Sequence, residues 1–294
     1  MPAATARFPP GQRRATVYGL LAATLWGLSF LSTKVAVAVI PPMTLTAVQC
    51  GVACLALPAV VLLAREHLRI AARDLPILAV GGAVGVTLFY YCQNNGILNL
   101  SASESSLIIA TVPIVSVLAD RVFLGTRLLK RVYAGSLLSF AGVALIVARP
   151  SLHSGASPRG YLFMFGAVLA WVGYSFATRT VAQRYGRLSV TFWQSLFGTL
   201  GCLPFALRES RAWKLPGTIV VLNVLFLGLM VSVAAFGLFV ATIDRLGVGR
   251  ASVFINLIPV VAVLAAFFLL GDRLGALQWA GGSIVLGGVF LATG

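Results

Sequence analysis

The sequence contains two related halves, and this internal duplication constrains the fold more than any other feature. Between positions 113–128 and 259–274, nine of sixteen residues are identical at a constant offset of 146. The same offset aligns Gly135 and Gly142 with Gly281 and Gly288. An offset of 145 aligns Trp26 with Trp171, and Thr33 with Thr178. Unrelated apolar helices would not share such a framework, and internal repeats of this kind are typical of transporter folds.

Long apolar stretches place most of the chain in a bilayer. Hydrophobic residues make up 59% of the sequence and charged residues 10%, and a helix needs about 20 apolar residues to cross about 30 Å of hydrocarbon. The apolar runs are continuous, which favours helices over alternating strands. The pattern therefore predicts an all-α integral membrane protein with ten transmembrane helices, at about residues 16–39, 43–64, 74–98, 101–121, 131–149, 159–181, 188–208, 214–243, 247–269 and 275–293.

Each half contributes five of these helices, and an odd number forces the second copy to enter the membrane from the opposite side. The predicted organisation is a disordered cytoplasmic tail at 1–15, a first repeat at 16–149, an external linker at 150–158 and a second, inverted repeat at 159–294. With the amino terminus inside, fifteen of the 22 Lys and Arg residues fall on the cytoplasmic side. Because cytoplasmic loops carry an excess of these residues, both termini are expected to be cytoplasmic.

Charge and chemistry argue against several other function classes. The net charge is +15, but the cations are dispersed among short loops, which fits contact with anionic lipid and not nucleic acid. The four cysteines lie within apolar runs and the two histidines are isolated. The sequence has no recognisable catalytic triad, carboxylate pair or phosphate-binding motif. We therefore expect no enzymatic activity, no cofactor and no metal site.

The third predicted helix carries an unusually polar segment, YYCQNN at 90–95. Phenols and carboxamides are costly in hydrocarbon without partners, so this segment should face protein or water. We interpret four of its residues as substrate contacts: Tyr90, Tyr91, Gln93 and Asn94. Interhelical hydrogen bonding is the alternative.

The matching positions of the eighth helix are apolar, since the repeat aligns Tyr90 and Gln93 with Phe236 and Phe239. A cavity with one polar and one apolar wall suits an amphipathic solute. Further candidate lining residues lie on the first, sixth and ninth helices: Trp26, Phe30, Trp171, Tyr174, Ser175 and Asn256. For the aromatic ones, contact with lipid or packing in the core is the alternative.

Two prolines and one glutamate complete the candidates. Pro113 and Pro259 lie within apolar spans, where each removes a helical hydrogen bond and is expected to kink the helix, with or without lining the cavity. Glu104 is the tempting proton site, but it follows Ser101 by three residues, which fits a capping box. We expect Glu104 to cap a helix, with proton coupling as the alternative.

The paired segments at 113–128 and 259–274, with Trp26 and Trp171, resemble the EamA-type repeat of the drug/metabolite transporter superfamily. The resemblance covers nearly all of residues 16–294. Where the family repeat usually ends in Gly-Glu-Arg-Leu, the chain has Gly-Thr-Arg-Leu and Gly-Asp-Arg-Leu. The resemblance implies ten helices in two inverted repeats. Within the superfamily the chain is similar to bacterial amino-acid exporters of the YddG type.

The expected function is transport of small amphipathic metabolites, chiefly amino acids including aromatic ones, outward across the bacterial inner membrane. The expected mechanism is alternating access at a central cavity. The alternatives are export of other drugs or metabolites, exchange of phosphorylated solutes or nucleotide sugars, and, from a different class, an integral-membrane enzyme. The expected partners are a small-molecule substrate and the lipid bilayer, without nucleic acid, and the chain is expected to act as a monomer.

Overall fold

The computed structural model of the protein describes residues 10–125, 130–148, 157–182, 184–246, 254–255, 257–271 and 273–293. Within these ranges the regular secondary structure is helical, with no strand. Five helical stretches are long and apolar enough to cross a membrane: Arg14–Val37, Pro42–Leu63, Ala72–Asn99, Leu188–Arg208 and Thr218–Phe239. The predicted all-helical class is thus confirmed for the described residues, while the count of ten spans stays a prediction.

Most helices begin and end close to the predicted boundaries, but the first begins at Pro10, within the tail that the sequence predicts to be disordered. In chain order they are α1 (Pro10–Val37), α2 (Pro42–Leu63), α3 (Leu75–Gly82), α4 (Phe89–Asn99), α5 (Ala102–Ile109), α6 (Val112–Leu124), α7 (Lys130–Ala148), α8 (Pro158–Ala182), α9 (Arg187–Arg208), α10 (Thr218–Leu225), α11 (Phe236–Leu246), α12 (Ile258–Leu270) and α13 (Ala276–Thr293). Most of the predicted tail, most of the linker and the start of the predicted ninth helix lie outside the described residues.

The third and eighth predicted spans are not uniform α-helices. A π-helical segment, Ala83–Leu88, joins α3 to α4, and a second one, Phe226–Ala235, joins α10 to α11. Hydropathy predicts one continuous helix in each of these spans. It depends on the polarity of the side chains and does not report which backbone groups hydrogen-bond to each other. Segments of π-helix are rare and are frequently found at functional sites.

The fourth predicted span is broken into two helices, which corrects the expectation of a simple proline kink. Pro113 lies in the first turn of α6, after the end of α5, and Pro259 lies in the first turn of α12. Proline is tolerated there because the first amides of a helix have no intrahelical acceptor. Both α6 and α12 end at a glycine with positive φ, 66° at Gly125 and 68° at Gly271. That left-handed cap is a conformation that glycine adopts without strain.

Helices from the two halves pack in antiparallel pairs. In the pair α7 and α13, a Cβ atom on Gly142 would lie 2.6 Å from the carbonyl oxygen of Gly281, and one on Gly288 would lie 2.5 Å from that of Gly135. Glycines at such crossings let two helix backbones approach closely. In the pair α2 and α9, the end of each helix lies beside the start of the other.

Candidate functional site

A small cavity lies between the two halves of the chain. Its walls come from α2, α4, α8, α9, α11 and both π segments, and the residues that line it are Cys50, Ala53, Gly85, Val86, Tyr90, Trp171, Tyr174, Thr191, Gln194, Ser195, Ser232 and Phe236. Its volume is about 50 Å³, whereas sites for drug-sized ligands measure about 300–1,000 Å³. The cavity is therefore too small for such a ligand in this conformation.

Neutral polar groups on α8 and α9 form one hydrogen-bonded wall of the cavity. The hydroxyl of Tyr174 donates to Oε1 of Gln194 at 3.1 Å, and Nε2 of Gln194 donates to Oγ1 of Thr178 at 2.9 Å. Gln194 is buried, with 2% of its surface exposed. These groups hold one another in place, so the wall is a preformed set of donors and acceptors.

A second polar group joins α2 to the π segment before α11, beside Tyr90 of α4. Nε2 of Gln49 donates to Oγ of Ser232 at 3.4 Å, and Tyr90 lines the cavity together with Ser232 and Cys50. Gln49 aligns with Gln194 at the offset of 145 that relates the two tryptophans. Each half thus supplies one carboxamide next to one tyrosine.

Aromatic rings complete the lining. Trp171 packs against Phe89 with ring centroids 5.1 Å apart. In the other half, Trp26 packs edge-on against Phe236 at 5.5 Å and Phe239 at 5.0 Å. Phe236 lines the cavity, whereas Trp26 and Phe239 are not part of the lining. Of the predicted contacts, the structure brings together Tyr90, Trp171, Tyr174 and Phe236 around one space.

Asn94 lies outside the cavity, in contrast to its predicted position beside the substrate. Its side chain is 1% exposed, and its Nδ2 donates to Oγ1 of Thr46 at 3.0 Å and to the carbonyl of Pro42 at 3.2 Å. Asn94 does share a helical face with Tyr90, as the spacing predicts. One turn further along α4, however, the start of α2 closes against that face. The alternative of interhelical hydrogen bonding therefore describes Asn94.

Three further candidates are also placed away from the cavity. Tyr91 is 37% exposed and packs against Phe163 on the outer face of the bundle. Phe30 is 4% exposed and belongs to the hydrophobic core. Gln93 is buried but does not line the cavity. The side chain of Ser175 and the whole of Asn256 lie outside the described residues.

Sequence reasoning missed the polar residues of α2 and α9. The pair Gln49-Cys50 aligns with Gln194-Ser195 at the offset of 145. Three of these four residues line the cavity, and Gln49 lies directly behind it. A matched carboxamide in two apolar helices was the available signal, because an uncompensated amide in hydrocarbon is costly.

Glu104 forms the predicted capping box at the start of α5. Its backbone amide donates to Oγ of Ser101 at 3.0 Å, and its carboxylate accepts from the backbone amide of Ser101 at 3.2 Å. The hydroxyl of Tyr161 donates to the other carboxylate oxygen at 3.0 Å. On the adjoining helix end, Nζ of Lys34 donates to the carbonyl oxygens of Ile97 at 2.8 Å and Leu100 at 2.6 Å. Glu104 thus caps the start of α5 and Lys34 the end of α4, and neither lines the cavity.

Neutral polar groups and aromatic rings line the cavity. No charged side chain is among its lining residues, and within the described ranges no group of three or more His, Cys, Asp or Glu residues could hold a metal ion. Hydroxyl and carboxamide dipoles beside aromatic rings orient a neutral or zwitterionic solute by hydrogen bonds and contact area.

The profile described as the EamA-like transporter family matches the chain twice, over residues 13–148 and 158–294. A probable terminal-alkyne amino-acid exporter of Streptantibioticus cattleyicolor is 31% identical over 220 residues, which cover 75% of this chain and 73% of that protein. A probable amino-acid metabolite efflux pump of Salmonella typhimurium is 22% identical and covers 95% and 94% of the two chains. A solved crystal structure superposes with a TM-score of 0.65 over 96% and 97% of the two chains at 22% identity, a likeness of fold alone.

Proposed function

The chain belongs to the EamA-like transporter family, and we propose that it exports small amphipathic metabolites, chiefly amino acids including aromatic ones, through the cavity between its halves. The observation that carries this proposal is the lining of that cavity, where neutral polar groups lie beside aromatic rings. A membrane enzyme finds no support, because the family and its named relatives are transporters.

The two walls suggest how such a solute would be held. Its polar head would bind the hydrogen-bonded pair of Tyr174 and Gln194, and its apolar body would pack against Trp171. Phosphorylated solutes and nucleotide sugars call for cationic groups, and the lining contains none. The names of two relatives, an amino-acid exporter and an amino-acid metabolite efflux pump, also favour amino acids.

Alternating access between two inverted repeats is supported by the contacts of α7 and α13. The internal match equates Gly135 with Gly281, and Gly142 with Gly288. The close contacts join Gly142 to Gly281 and Gly288 to Gly135. The internal match therefore converts each of these two contacts into the other. Antiparallel helices related by a two-fold axis in the membrane plane behave in this way. The two halves would rock about this contact, and the small cavity must open for a solute to enter.

We place the protein in the inner membrane of a bacterium, with ten spans and both termini in the cytoplasm. The distribution of Lys and Arg supports this orientation, with fifteen on the cytoplasmic side and seven on the outer side. A cysteine at Arg69, in a cysteine-free background, should react only with reagent that reaches the cytoplasm. Reaction of that cysteine with an impermeant reagent added outside intact cells would reverse the orientation.

Uptake into proteoliposomes tests the substrate class. Labelled tryptophan, phenylalanine, leucine, a drug-like cation and a sugar nucleotide form the panel, and we expect transport of the amino acids. Trp171→Ala should reduce transport of aromatic amino acids more than of leucine, because it removes contact area for a ring. Gln194→Leu should reduce transport of every amino acid, by about tenfold if one hydrogen bond worth about 1–3 kcal/mol is lost.

Leu138→Ala is the matched control, since Leu138 is exposed on the outer face of α7. The cavity is not the site if well-folded Trp171→Ala and Gln194→Leu proteins transport every solute at the parental rate. Transport of the sugar nucleotide without the amino acids would instead favour the exchanger alternative.

A further inference from the structure

A carboxylate at the end of α9 caps the start of α2. Glu209 follows the last residue of α9, and its Oε2 accepts hydrogen bonds from the backbone amide and the hydroxyl of Thr44, each at 2.8 Å. Its Oε1 accepts from the amide of Met43 at 3.2 Å. The first amides of a helix have no intrahelical acceptor and carry the positive end of its dipole. Glu209 therefore stabilises the start of a helix that belongs to the other half.

The reverse arrangement occurs at the opposite end of the same pair. Glu66 lies just after α2, and its Oε2 accepts hydrogen bonds from the backbone amide and the hydroxyl of Ser189, each at 3.2 Å, in the first turn of α9. Thr44 and Ser189 are equivalent at the offset of 145. The two halves thus exchange carboxylate caps, one at each end of the pair formed by α2 and α9.

The position of this helix pair gives the caps a mechanical consequence. Both helices line the cavity, α2 through Cys50 and Ala53, and α9 through Thr191 and Gln194. Each carboxylate therefore ties the two halves together at one end of that cavity. A rocking motion that opens one end must separate the helix end from its partner there, and so must break the hydrogen bonds of that carboxylate.

We propose that Glu66 and Glu209 are the gating residues of the transport cycle, with Glu66 closing the cytoplasmic end of the cavity and Glu209 the external end. The inference rests on the proposed alternating access. Both caps are formed in the structure while the cavity is too small for a drug-sized ligand, which is the arrangement of an occluded state. Release of Glu66 opens the cavity to the cytoplasm, and release of Glu209 opens it to the outside.

The cytoplasmic end has a second tie between the halves. Nη1 of Arg184 lies 3.1 Å from Oδ1 of Asp74, and the hydroxyl of Tyr185 donates to Oδ2 of Asp74 at 2.7 Å. Arg184 and Tyr185 follow α8, whereas Asp74 precedes α3. The hydroxyl of Ser189 and Nε1 of Trp193 also donate to the carbonyl oxygens of His67 and Leu68, each at 2.8 Å. Loss of Glu66 alone therefore leaves several connections at this end, so a variant that also carries Asp74→Asn should open further than Glu66→Gln.

Accessibility of the cavity from each side tests the proposal. Ser195→Cys, in a background without the four native cysteines, places one thiol in the cavity wall. A membrane-impermeant maleimide is applied to right-side-out and to inside-out vesicles, and the rate of labelling is measured. We expect Glu66→Gln to raise labelling from the cytoplasmic side, and Glu209→Gln to raise it from the outside, each by roughly tenfold, because the neutral amide oxygen is a weaker acceptor than the carboxylate and no longer complements the helix dipole.

Charge-neutralising variants on the same two faces serve as controls. Arg69→Gln and Arg211→Gln remove exposed charges near Glu66 and Glu209 in sequence and should leave both labelling rates at the parental value. Ser189→Ala keeps Glu66 but removes a hydroxyl that contacts both Glu66 at 3.2 Å and the carbonyl oxygen of His67 at 2.8 Å, and it should reproduce the cytoplasmic effect in part.

The possible outcomes distinguish the gating proposal from the proposed substrate class. Unchanged labelling in Glu66→Gln and Glu209→Gln, or an increase from the same side in both, overturns the gating assignment even if amino acids are transported. Opposite, side-specific increases establish the gates. If those increases occur while the parental protein moves none of the panel solutes, the proposed substrate class is wrong and the gates stand.

Discussion

Two adjacent glycines of α13 should respond in opposite ways to the same substitution. A Cβ atom at Gly288 would lie 2.5 Å from the carbonyl oxygen of Gly135 and 2.7 Å from the amide nitrogen of Ser139, whereas one at Gly287 would meet no atom within 4 Å. Alanine is favoured over glycine inside a helix by about 1 kcal/mol, and this gain applies to both variants. Overpacking against a rigid backbone costs about 1–3 kcal/mol, and this cost applies only to Gly288→Ala.

The measurement is the midpoint of thermal unfolding of purified protein in detergent, followed by size-exclusion chromatography. Gly287→Ala should unfold at or above the parental temperature and Gly288→Ala below it, with a difference of roughly 1–3 kcal/mol between them. Gly142→Ala, the equivalent of Gly288→Ala in the first half, should also be destabilised, because its Cβ atom would lie 2.6 Å from the carbonyl oxygen of Gly281. Equal stability of Gly287→Ala and Gly288→Ala would mean that α7 and α13 do not meet in this way.

Three substitutions away from the cavity should alter stability or leave transport intact. Asn94→Leu should lower the unfolding midpoint by the equivalent of about 0.6–2 kcal/mol without changing the preference among solutes. When it is combined with Thr46→Val, the loss of stability should be less than additive. A changed preference among solutes would place Asn94 at the substrate. Glu104→Gln should keep the capping hydrogen bond and the pH dependence of transport; transport that persists but no longer responds to a proton gradient would assign coupling to Glu104. Lys34→Met should destabilise the end of α4 by about 1–2 kcal/mol, because the freed carbonyl groups lose their donor; an unchanged unfolding midpoint would contradict that capping role.

Local physics made several features predictable from sequence. The thickness of hydrocarbon sets the length of an apolar helix, and most of the observed helix ends follow the predicted boundaries closely. The Ser101 and Glu104 capping box depends on residues three positions apart and forms as predicted. The spacing of Tyr90 and Asn94 also places them on one face of α4, and in the structure both lie beside residues of α2. In each case the deciding residues belong to one continuous stretch of the chain.

The sequence did not predict which neighbour each helix face contacts, or at what depth in the bundle the contact lies. Helical spacing assigns Tyr90 and Asn94 to one face but does not say that the cavity reaches only the first of them. Tyr91, one position away, points to the outer surface of the bundle. Hydropathy did not reveal the π segments before α4 and α11, because α and π backbones bury the same apolar side chains.

By itself the sequence determined the helical membrane class, the duplication and the local caps, because each depends on hydrocarbon length or on residues close in the chain. Only the tertiary structure decided that Gln194 joins Tyr174 in the cavity wall and that Glu209 reaches Thr44, 165 residues away. Such contacts depend on which helices become neighbours and at what height they cross. Those relations are set by the packing of the whole bundle, and they cannot be deduced from the periodicity of a single helix.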